Sequence, residues 1–240
     1  FSLKGKESLK FTLFERFYEI LPKESKLRLG TQYRMHESIM NFSSQKFYDG
    51  KLIADKAVAQ HTLKDLCKKK SKVETDPVIF LDTAGRGYEE KKEEGSESQF
   101  NEEEAKLVVQ EYQKLLAAGV KAQDIALISP YSAQVKLLVS MIYQDEWDQE
   151  KGLGPDIDSV DAFQGQEREV VIVSLVRSNL TGKIGFLGDT RRMNVAMTRA
   201  RRKLIVIGDS ATISALKFYE DFLKYVESVN GYRSAWESAE

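Results

Sequence analysis

Four short apolar runs, separated by longer amphipathic stretches, constrain the fold of this chain more than any other feature. The runs are rich in β-branched side chains and contain few polar residues, which is typical of strands buried on both faces of a sheet. Strands that alternate with amphipathic helices predict an α/β domain, in which helices cover both faces of a mainly parallel sheet. The runs are Val78–Asp82, Ile125–Ser129, Val170–Val176 and Leu204–Gly208.

The stretches between these runs predict the helices and loops of one domain over residues 1–240. Apolar residues recur at helical spacing, and Asn101 and Gly119 are suited to begin and end the third of these helices. Three weaker features are a short strand at Leu27–Leu29, a strand edge at Val160 and a peripheral connection over Lys51–Lys72. The Glu- and Lys-rich run Glu89–Glu97 is interpreted as a solvated loop, and an irregular loop is expected over Asp145–Pro155. The predicted helices cover residues 7–20, 36–48, 101–118, 131–143 and, as a closing helix, about 216–230.

Composition excludes several classes of protein. The 240 residues carry a net charge of −1, so any contact with nucleic acid requires a local basic surface rather than a global field. A single cysteine, Cys67, excludes an internal disulfide framework, and two histidines disfavour a histidine-based zinc site. No apolar run is long enough to span a membrane, and no secretory leader is recognisable. We therefore expect a cytoplasmic protein with no membrane contact.

The segment from Asp189 to Lys203 contains the most distinctive pattern of charge. As a helix it would begin at Asp189, a favourable N-cap, and would place Arg192 and Arg199 on one face, seven residues apart. Met193 and Met197 would then pack on another face. A rigid helix beside a sheet is a means of directing guanidinium groups at phosphate oxygens. A solvated face or a general polyanion patch is the alternative for such a helix taken alone.

Three polar segments directly follow strand-like runs. They are Gln32–Arg34, Ser129–Tyr131 and Arg177–Asn179. Because ligands of open α/β sheets bind at the carboxyl ends of the strands, we expect these loops to converge on one rim. Tyr33 and Arg34 are suited to a purine and a phosphate, and Ser129–Tyr131 to a backbone phosphate, although a core tyrosine and simple helix capping explain them as well.

Taken in order, four motifs closely resemble the later motifs of superfamily 1 helicases. They are Leu29–His36, Ser129–Gln134, Ser159–Glu167 and Arg191–Arg201. The up-frameshift-like branch, and within it the immunoglobulin-mu-binding-protein type, is most similar, since its Val-Arg-Ser-Asn and Gly-Phe-Leu segments also occur here. The resemblance covers most of residues 9–210.

The resemblance implies the second, C-terminal RecA-like domain of a helicase, with ATP bound in the cleft between two such domains. It implies that Arg34 and Arg199 reach the γ-phosphate, Arg199 as the arginine finger, and that Tyr33 stacks on the adenine. Arg192 is expected to brace its helix by a salt bridge instead, and Gln166 stands where many relatives carry arginine. The implied nucleotide-binding residues are Gln32, Tyr33, Arg34, Gly165, Glu167 and Arg199, and the implied nucleic-acid-binding residues are Ser129, Pro130, Tyr131, Ser159, Val160, Arg177, Ser178 and Asn179.

Neither a Gly-x-x-x-x-Gly-Lys-Ser/Thr phosphate loop nor a strand followed by an Asp-Glu pair occurs in these 240 residues. We therefore expect a fragment that is inactive alone, with the Mg²⁺ ligands for ATP in an N-terminal RecA-like domain. The expected partner is single-stranded DNA or RNA, with 5′-to-3′ movement implied by the resemblance. A non-catalytic single-strand-binding module is the main alternative, and a protein-interaction scaffold is a more distant one.

Overall fold

The computed structural model describes residues 13–68, 71, 73–143 and 154–236. The chain divides into two compact units, Phe1–Gly30 and Thr31–Glu240. The described part of the first unit contains helix α1 (Leu13–Ile20) and a 3-10 turn at Lys23–Ser25. The predicted first helix is thus confirmed from residue 13 onward, while residues 7–12 lie outside the described residues. The strand predicted at Leu27–Leu29 is wrong, because these residues form no strand and join none of the sheets within the described part of the chain.

The second unit is built on a sheet of six parallel strands. In chain order the strands of the unit are β1 (Thr31–Gln32), β2 (Ile53–Ala54), β3 (Val78–Asp82), β4 (Lys91–Lys92), β5 (Gln99–Phe100), β6 (Ile125–Ser129), β7 (Asp156–Ser159), β8 (Arg168–Ser174), β9 (Ala200–Gly208) and β10 (Tyr232–Ser234). The sheet has the order β10-β3-β9-β8-β6-β7, and β1-β2 and β4-β5 form separate pairs. The four apolar runs are therefore confirmed as strands β3, β6, β8 and β9. Strand β10, at the sheet edge, was not predicted because three residues carry too little periodicity.

Helices cover both faces of the sheet and give the three-layer, RecA-like α/β architecture. One hydrophobic core packs α2, α5 and α7 against one face, and a second core packs α3 and α4 against the other. Successive residues of β9 alternate between the two cores, with Val206 in the first and Ile207 in the second. No helix in the described ranges is long and apolar enough to cross a lipid bilayer. These helices are α2 (Glu37–Phe47), α3 (Glu102–Ala118), α4 (Ser132–Ile142), α5 (Thr190–Met197), α6 (Ser210–Ile213) and α7 (Lys217–Ser228).

Two segments that the sequence assigned to the periphery are structured. The Glu- and Lys-rich run is not a solvated loop throughout, because Lys91 and Lys92 pair antiparallel with Phe100 and Gln99 in a β-hairpin. In the connection after α2, Leu63 is fully buried in the core beneath α3 and α4. Most of the loop expected over residues 145–155 lies outside the described residues.

The helix expected over residues 189–203 is shorter than predicted. Asp189 is its N-cap, as expected, and accepts a hydrogen bond from the Arg191 backbone N–H. The helix ends at Met197, because the backbone of Thr198 leaves the helical conformation, with φ −80° and ψ 6°, and β9 begins at Ala200. Arg199 therefore lies in the turn between helix and strand and does not share a helical face with Arg192.

Candidate functional site

Glu167 and Arg199 lie at the amino-terminal edge of the sheet, one residue before β8 and β9 respectively. These strands are neighbours, and the Arg168 backbone N–H donates to the Arg199 carbonyl at 3.0 Å. The two short turns are therefore fixed side by side by the first hydrogen bond of the ladder. Any ligand that contacts both residues binds at this edge.

Arg34 reaches the same edge from the segment after β1. Its Nε donates to Glu167 Oε2 and its Nη1 donates to the Thr198 carbonyl at 3.2 Å. The turn that presents it is held by Gln32, whose Oε1 accepts from the backbone N–H groups of Arg34 and Met35 at 2.8 and 2.7 Å. The ring of Tyr33 lies outside this turn, and 68% of the residue is exposed. Gln32 thus orients the Tyr33-Arg34 pair.

Arg199 completes a pair of guanidinium groups. Its Nη1 donates to the Gln166 carbonyl at 3.1 Å, and its Nη2 donates to the Thr198 hydroxyl at 3.3 Å. Burial lowers the pKa of Arg199, and the positive charge of Arg34 lowers it further. Two like charges held together in a half-buried setting are stabilised by an anion, so the geometry fits a phosphate group.

Gly165 borders this cluster and has a backbone φ of +90°. A Cβ atom at this position would meet no atom within 4 Å. Glycine is therefore required at position 165 by the positive φ angle, and not because a larger side chain would clash with the protein. The free space leaves room for a ligand to approach the backbone.

Glu167 accepts from two arginines, since Arg201 Nη1 donates to its Oε1 at 3.3 Å while Arg34 bonds its Oε2. Both carboxylate oxygens are engaged, so Glu167 is suited to position Arg34 and not to hold a metal ion by itself. Arg192 points elsewhere and forms a salt bridge with Asp161 at 3.3 Å. The exposed Gln166 contributes its backbone carbonyl to Arg199 and its side chain to Arg168.

The segments expected to contact a nucleic-acid strand lie at the opposite, carboxyl edge. Ser129 ends β6 and Ser159 ends β7, and the two are paired in register. The side chains of Ser129, Tyr131 and Val160 are buried, so the accessible surface here belongs to Pro130 and Ser159. The buried Tyr131 hydroxyl accepts from the Phe186 backbone N–H at 3.3 Å.

The loop Arg177–Asn179, after β8, lies at the same carboxyl edge and is held by an unpredicted residue, Glu90. Glu90 Oε2 is 2.9 Å from Arg177 Nε in a nearly buried ion pair. The same oxygen accepts from the Ser178 backbone N–H at 2.8 Å and from Asn179 Nδ2 at 3.1 Å. Glu90 falls in the charged run that the sequence left without function, and nothing in its local pattern distinguishes it from its neighbours.

A second unpredicted carboxylate, Glu104, supports the loop from below. It is fully buried, and its Oε1 accepts from the Ser174 hydroxyl at 2.6 Å and from the Val176 backbone N–H at 2.8 Å. Val176 has a φ of +71°, an unfavourable conformation for a β-branched residue. Burial raises the pKa of Glu104 to about 7, although its hydrogen bonds with Ser174 and Val176 oppose the shift. In the sequence, Glu104 is one of three adjacent glutamates in the first turn of α3, and nothing in that pattern distinguishes it from the other two.

The expectation of a single rim is therefore wrong. Arg34, Gly165, Glu167 and Arg199 gather at the amino edge, whereas residues 129–131, 159–160 and 177–179 gather at the carboxyl edge. The reason is that Glu167 and Arg199 precede their strands, and Arg34 follows β1, which is not part of the main sheet. At about 3.3 Å per residue, the seven residues of β8 separate the two edges by roughly 20 Å.

Comparison with known proteins relates this chain to an AAA domain family and to longer proteins, two of which are named as helicases. A family model described as an AAA domain matches residues 9–211. The chain is 44% identical over 210 residues to DNA-binding protein SMUBP-2 of Rattus norvegicus, covering 87% of this chain and 21% of that protein. It is 40% identical over 223 residues to DNA polymerase alpha-associated DNA helicase A of Schizosaccharomyces pombe, covering 90% and 33% respectively.

A third relative is a protein of Methanocaldococcus jannaschii described as an uncharacterized ATP-dependent helicase. The identity is 39% over 234 residues, covering 95% of this chain and 33% of that protein. The chain thus spans between 21% and 33% of the length of these curated relatives.

Proposed function

The chain belongs to the AAA domain family within the superfamily 1 helicases, and from this premise we propose that it forms the second RecA-like half of an ATP-dependent motor. The motor would move along single-stranded DNA or RNA in the 5′-to-3′ direction, as in the up-frameshift-like branch and its immunoglobulin-mu-binding-protein type. The first half would be another RecA-like domain. ATP would bind in the cleft between the two.

The proposal is carried by one observation, the adjacency of Arg34 and Arg199 at the amino edge. Two half-buried guanidinium groups beside the open space at Gly165 are suited by charge to bind a phosphate. The exposed ring of Tyr33 adds a flat apolar surface next to Arg34, suited to stack on the adenine. Glu167 would fix Arg34 and approach the ribose.

In the proposed reaction, these residues act mainly by charge. Transfer of the γ-phosphoryl group to water spreads negative charge over its equatorial oxygens. Arg199, held by Val195, Gln166 and Thr198, would donate to those oxygens as the arginine finger, with Arg34 beside it. Pre-oriented donors need little reorganisation when the charge develops.

Mg²⁺ bound with the ATP would supply positive charge that stabilises the phosphates during hydrolysis. The proposed partner domain would supply its ligands together with the phosphate loop. This chain alone is then expected to bind nucleotide weakly and to leave it unhydrolysed.

The carboxyl edge would hold the strand. Pro130 and Ser159 are partly exposed at the ends of β6 and β7, and Ser178 and Asn179 are partly exposed on the loop braced by Glu90. Ser129, Tyr131, Val160 and Arg177 would support that surface from within, since their side chains are buried.

The segment between β7 and β8 runs back from the carboxyl edge to the amino edge. Val160 follows β7 at the carboxyl edge, and Glu167 precedes β8 at the amino edge. Between them, Phe163 is buried in the core beside α5. Movement of Glu167 on closure around ATP would therefore be transmitted through a packed segment to the strand contacts, which could convert hydrolysis into stepping.

The test is ATP hydrolysis and oligonucleotide binding by the complete helicase carrying Arg199→Ala, with Arg191→Ala as the matched control. Both arginines belong to the same motif, but Arg191 is exposed on α5. We expect the Arg199 variant to lose about 10³- to 10⁵-fold in hydrolysis while it still binds a single strand. The control variant should hydrolyse ATP normally.

Near-normal hydrolysis by the Arg199 variant would reject its assigned role. Strand binding by a wild-type protein that does not hydrolyse ATP would favour the alternative, a non-catalytic single-strand-binding module. Absence of salt-dependent strand binding would reject both.

A further inference from the structure

Arg86 and Trp236 form a cation-π pair at the outer part of the carboxyl edge. The guanidinium carbon of Arg86 lies 4.7 Å from the centre of the Trp236 ring. Trp236 is 59% exposed, although its indole N–H donates to the Ala84 carbonyl at 3.4 Å. The Trp236 side chain is thus held both by its indole N–H and by contact with one face of its ring, yet most of it is exposed. Such exposure is unusual for a tryptophan that serves only in packing.

Arg86 itself is fixed but incompletely paired. Its Nη2 donates to the Tyr88 hydroxyl at 3.2 Å, and its guanidinium carbon lies 5.5 Å from the Tyr88 ring. Its Nε is buried and has no hydrogen-bond partner among the described residues. A positive charge is thus presented between two aromatic rings without a carboxylate bonded to it in the described part of the chain.

The position of the pair follows from the topology of the sheet. Gly85 and Arg86 follow β3, and Trp236 follows β10, so both reach the carboxyl edge beside the last two strands. Four inter-strand steps separate β10 from β6, which places the pair roughly 19 Å along the edge from Pro130.

A continuous segment joins the pair to the loop after β8. From Arg86 the chain runs to Glu90, whose backbone N–H donates to the Ser178 carbonyl at 3.3 Å. The Glu90 carboxylate also bonds Ser178 and Asn179. The pair and the proposed strand contacts are therefore linked by one short segment of chain.

We propose that Arg86 and Trp236 form a further subsite for single-stranded nucleic acid, at which a base stacks on the free face of Trp236 and a phosphate is paired with Arg86. This inference rests on the proposed function and extends the strand-binding edge beyond the segments that carry helicase motifs. Stacking on an aromatic side chain tolerates every base, because each base has a π-face. Cation-π contact with Arg86 fixes the ring before the base arrives, so little side-chain freedom is lost on binding.

The sequence allows a direct optical test. The 240 residues contain two tryptophans, Trp147 and Trp236, so Trp147→Phe in this chain produced on its own leaves Trp236 as its sole indole fluorophore. An unlabelled oligothymidylate is titrated into this variant at low salt, and binding of a dye-labelled copy is followed in parallel by anisotropy. We expect the Trp236 emission to be quenched with the same midpoint as the anisotropy change.

Three substitutions separate stacking from charge and from folding. Trp236→Leu keeps apolar bulk without an aromatic face and should weaken binding by about 5- to 150-fold, whereas Trp236→Phe should retain most of the affinity. Arg86→Gln should reduce the slope of log affinity against log salt by about 0.7, the value for one phosphate contact on a single strand. Thermal unfolding of each variant reports whether the fold is retained. We expect it to be retained, because the Trp236 ring is mostly exposed.

Binding with no quenching of Trp236, and with equal affinity of the Leu and Phe variants, would overturn the subsite while leaving the proposed function intact. Quenching that persists with a free mononucleotide at the same midpoint would also overturn it, because the site would then not require a strand. Complete absence of strand binding at low salt would overturn both proposals together.

Discussion

Arg34 and Arg199 are held by the same residue, Thr198. Arg34 Nη1 donates to the Thr198 carbonyl at 3.2 Å, and Arg199 Nη2 donates to the Thr198 hydroxyl at 3.3 Å. The hydroxyl in turn donates to the Asn194 carbonyl at 2.8 Å, at the end of α5. The spacing of the two guanidinium groups is therefore set by one turn between helix and strand.

Removal of the Thr198 hydroxyl should disturb Arg199 and spare Arg34, because Arg34 bonds the backbone. Thr198→Val removes one hydrogen bond to a charged group, an interaction of about 1.5–3 kcal/mol. We expect ATP hydrolysis by the complete helicase to fall roughly tenfold to a hundredfold. Thr198→Ser keeps the hydroxyl and should retain most of the rate; equal losses in the two variants would contradict this role for Thr198.

Gly165→Ala tests whether the open space at the amino edge is used by a ligand. With a φ of +90°, alanine is strained by about 1–2 kcal/mol, although its methyl group meets no protein atom. Gly95, at the tip of the hairpin, has a φ of +72° and equally open surroundings, so Gly95→Ala is the matched control. Both variants should lose similar stability in chemical unfolding, and only the Gly165 variant should lose nucleotide affinity. Unchanged nucleotide affinity in that variant would place the phosphates elsewhere.

Glu104 should make stability depend on pH. The folded state raises the pKa of this carboxyl from 4.5 to about 7, so between these values the folded chain holds a proton that the unfolded chain releases. The free energy of unfolding should therefore fall as pH rises through this window, by about 3 kcal/mol in total.

Glu104→Gln removes the titration, so the difference in unfolding free energy between wild type and variant should change between pH 4.5 and pH 7 and be constant outside that range. A flat difference for Glu104→Gln, measured by urea unfolding, would show that the buried carboxyl keeps its ordinary pKa.

Lys203 should show the opposite dependence. Burial lowers its pKa from 10.5 to about 8, while Glu74 and Asp76 oppose the shift, and its ammonium donates to the Asp76 carbonyl at 2.9 Å. The unfolded chain therefore binds the Lys203 proton more tightly than the folded chain does. The free energy of unfolding is lowered at pH 7 by this difference, and it rises again as pH increases from 8 towards 10.5. Lys203→Met should stabilise the fold by about 1–3 kcal/mol at neutral pH, and the gain should shrink at pH values above 8. A lower free energy of unfolding for Lys203→Met than for the wild type at neutral pH would contradict this prediction.

Much of the sheet was predictable because strands buried on both faces must be apolar throughout. Strands β3, β6 and β8 and the capping residues Asn101 and Asp189 all follow from local sequence. These features depend on near neighbours along the chain. Local pattern alone therefore determines them.

The extent of the arginine-rich helix was not predictable in the same way. Residues 198–203 could continue a helix by composition, but pairing of Ala200 with Arg168 of β8 extends β9 to that point. Tertiary pairing overrides local propensity here. The same pairing brings Arg199 beside Gln166. The helix predicted over residues 189–203 was therefore wrong at Arg199, which is the central residue of the proposed site.

The separation of the candidate site into two edges was also hidden from the sequence. A motif that follows a strand and one that precedes it look alike until the strand order and boundaries are known. Glu90 and Glu104 were missed for a related reason: each is distinguished from neighbouring glutamates only by burial against the loop after β8.

Photo-crosslinking of the complete helicase with an ATP analogue that carries a photoreactive group on its adenine tests the central claim most directly. The amino edge is proposed to hold the nucleotide, with Tyr33 against the base and Arg34 and Arg199 on the γ-phosphate. Mass spectrometry of the labelled peptides should therefore locate the adduct in the segment that contains Gln32, Tyr33 and Arg34. An adduct confined to the carboxyl edge, at residues 129–131 or 177–179, would contradict the account.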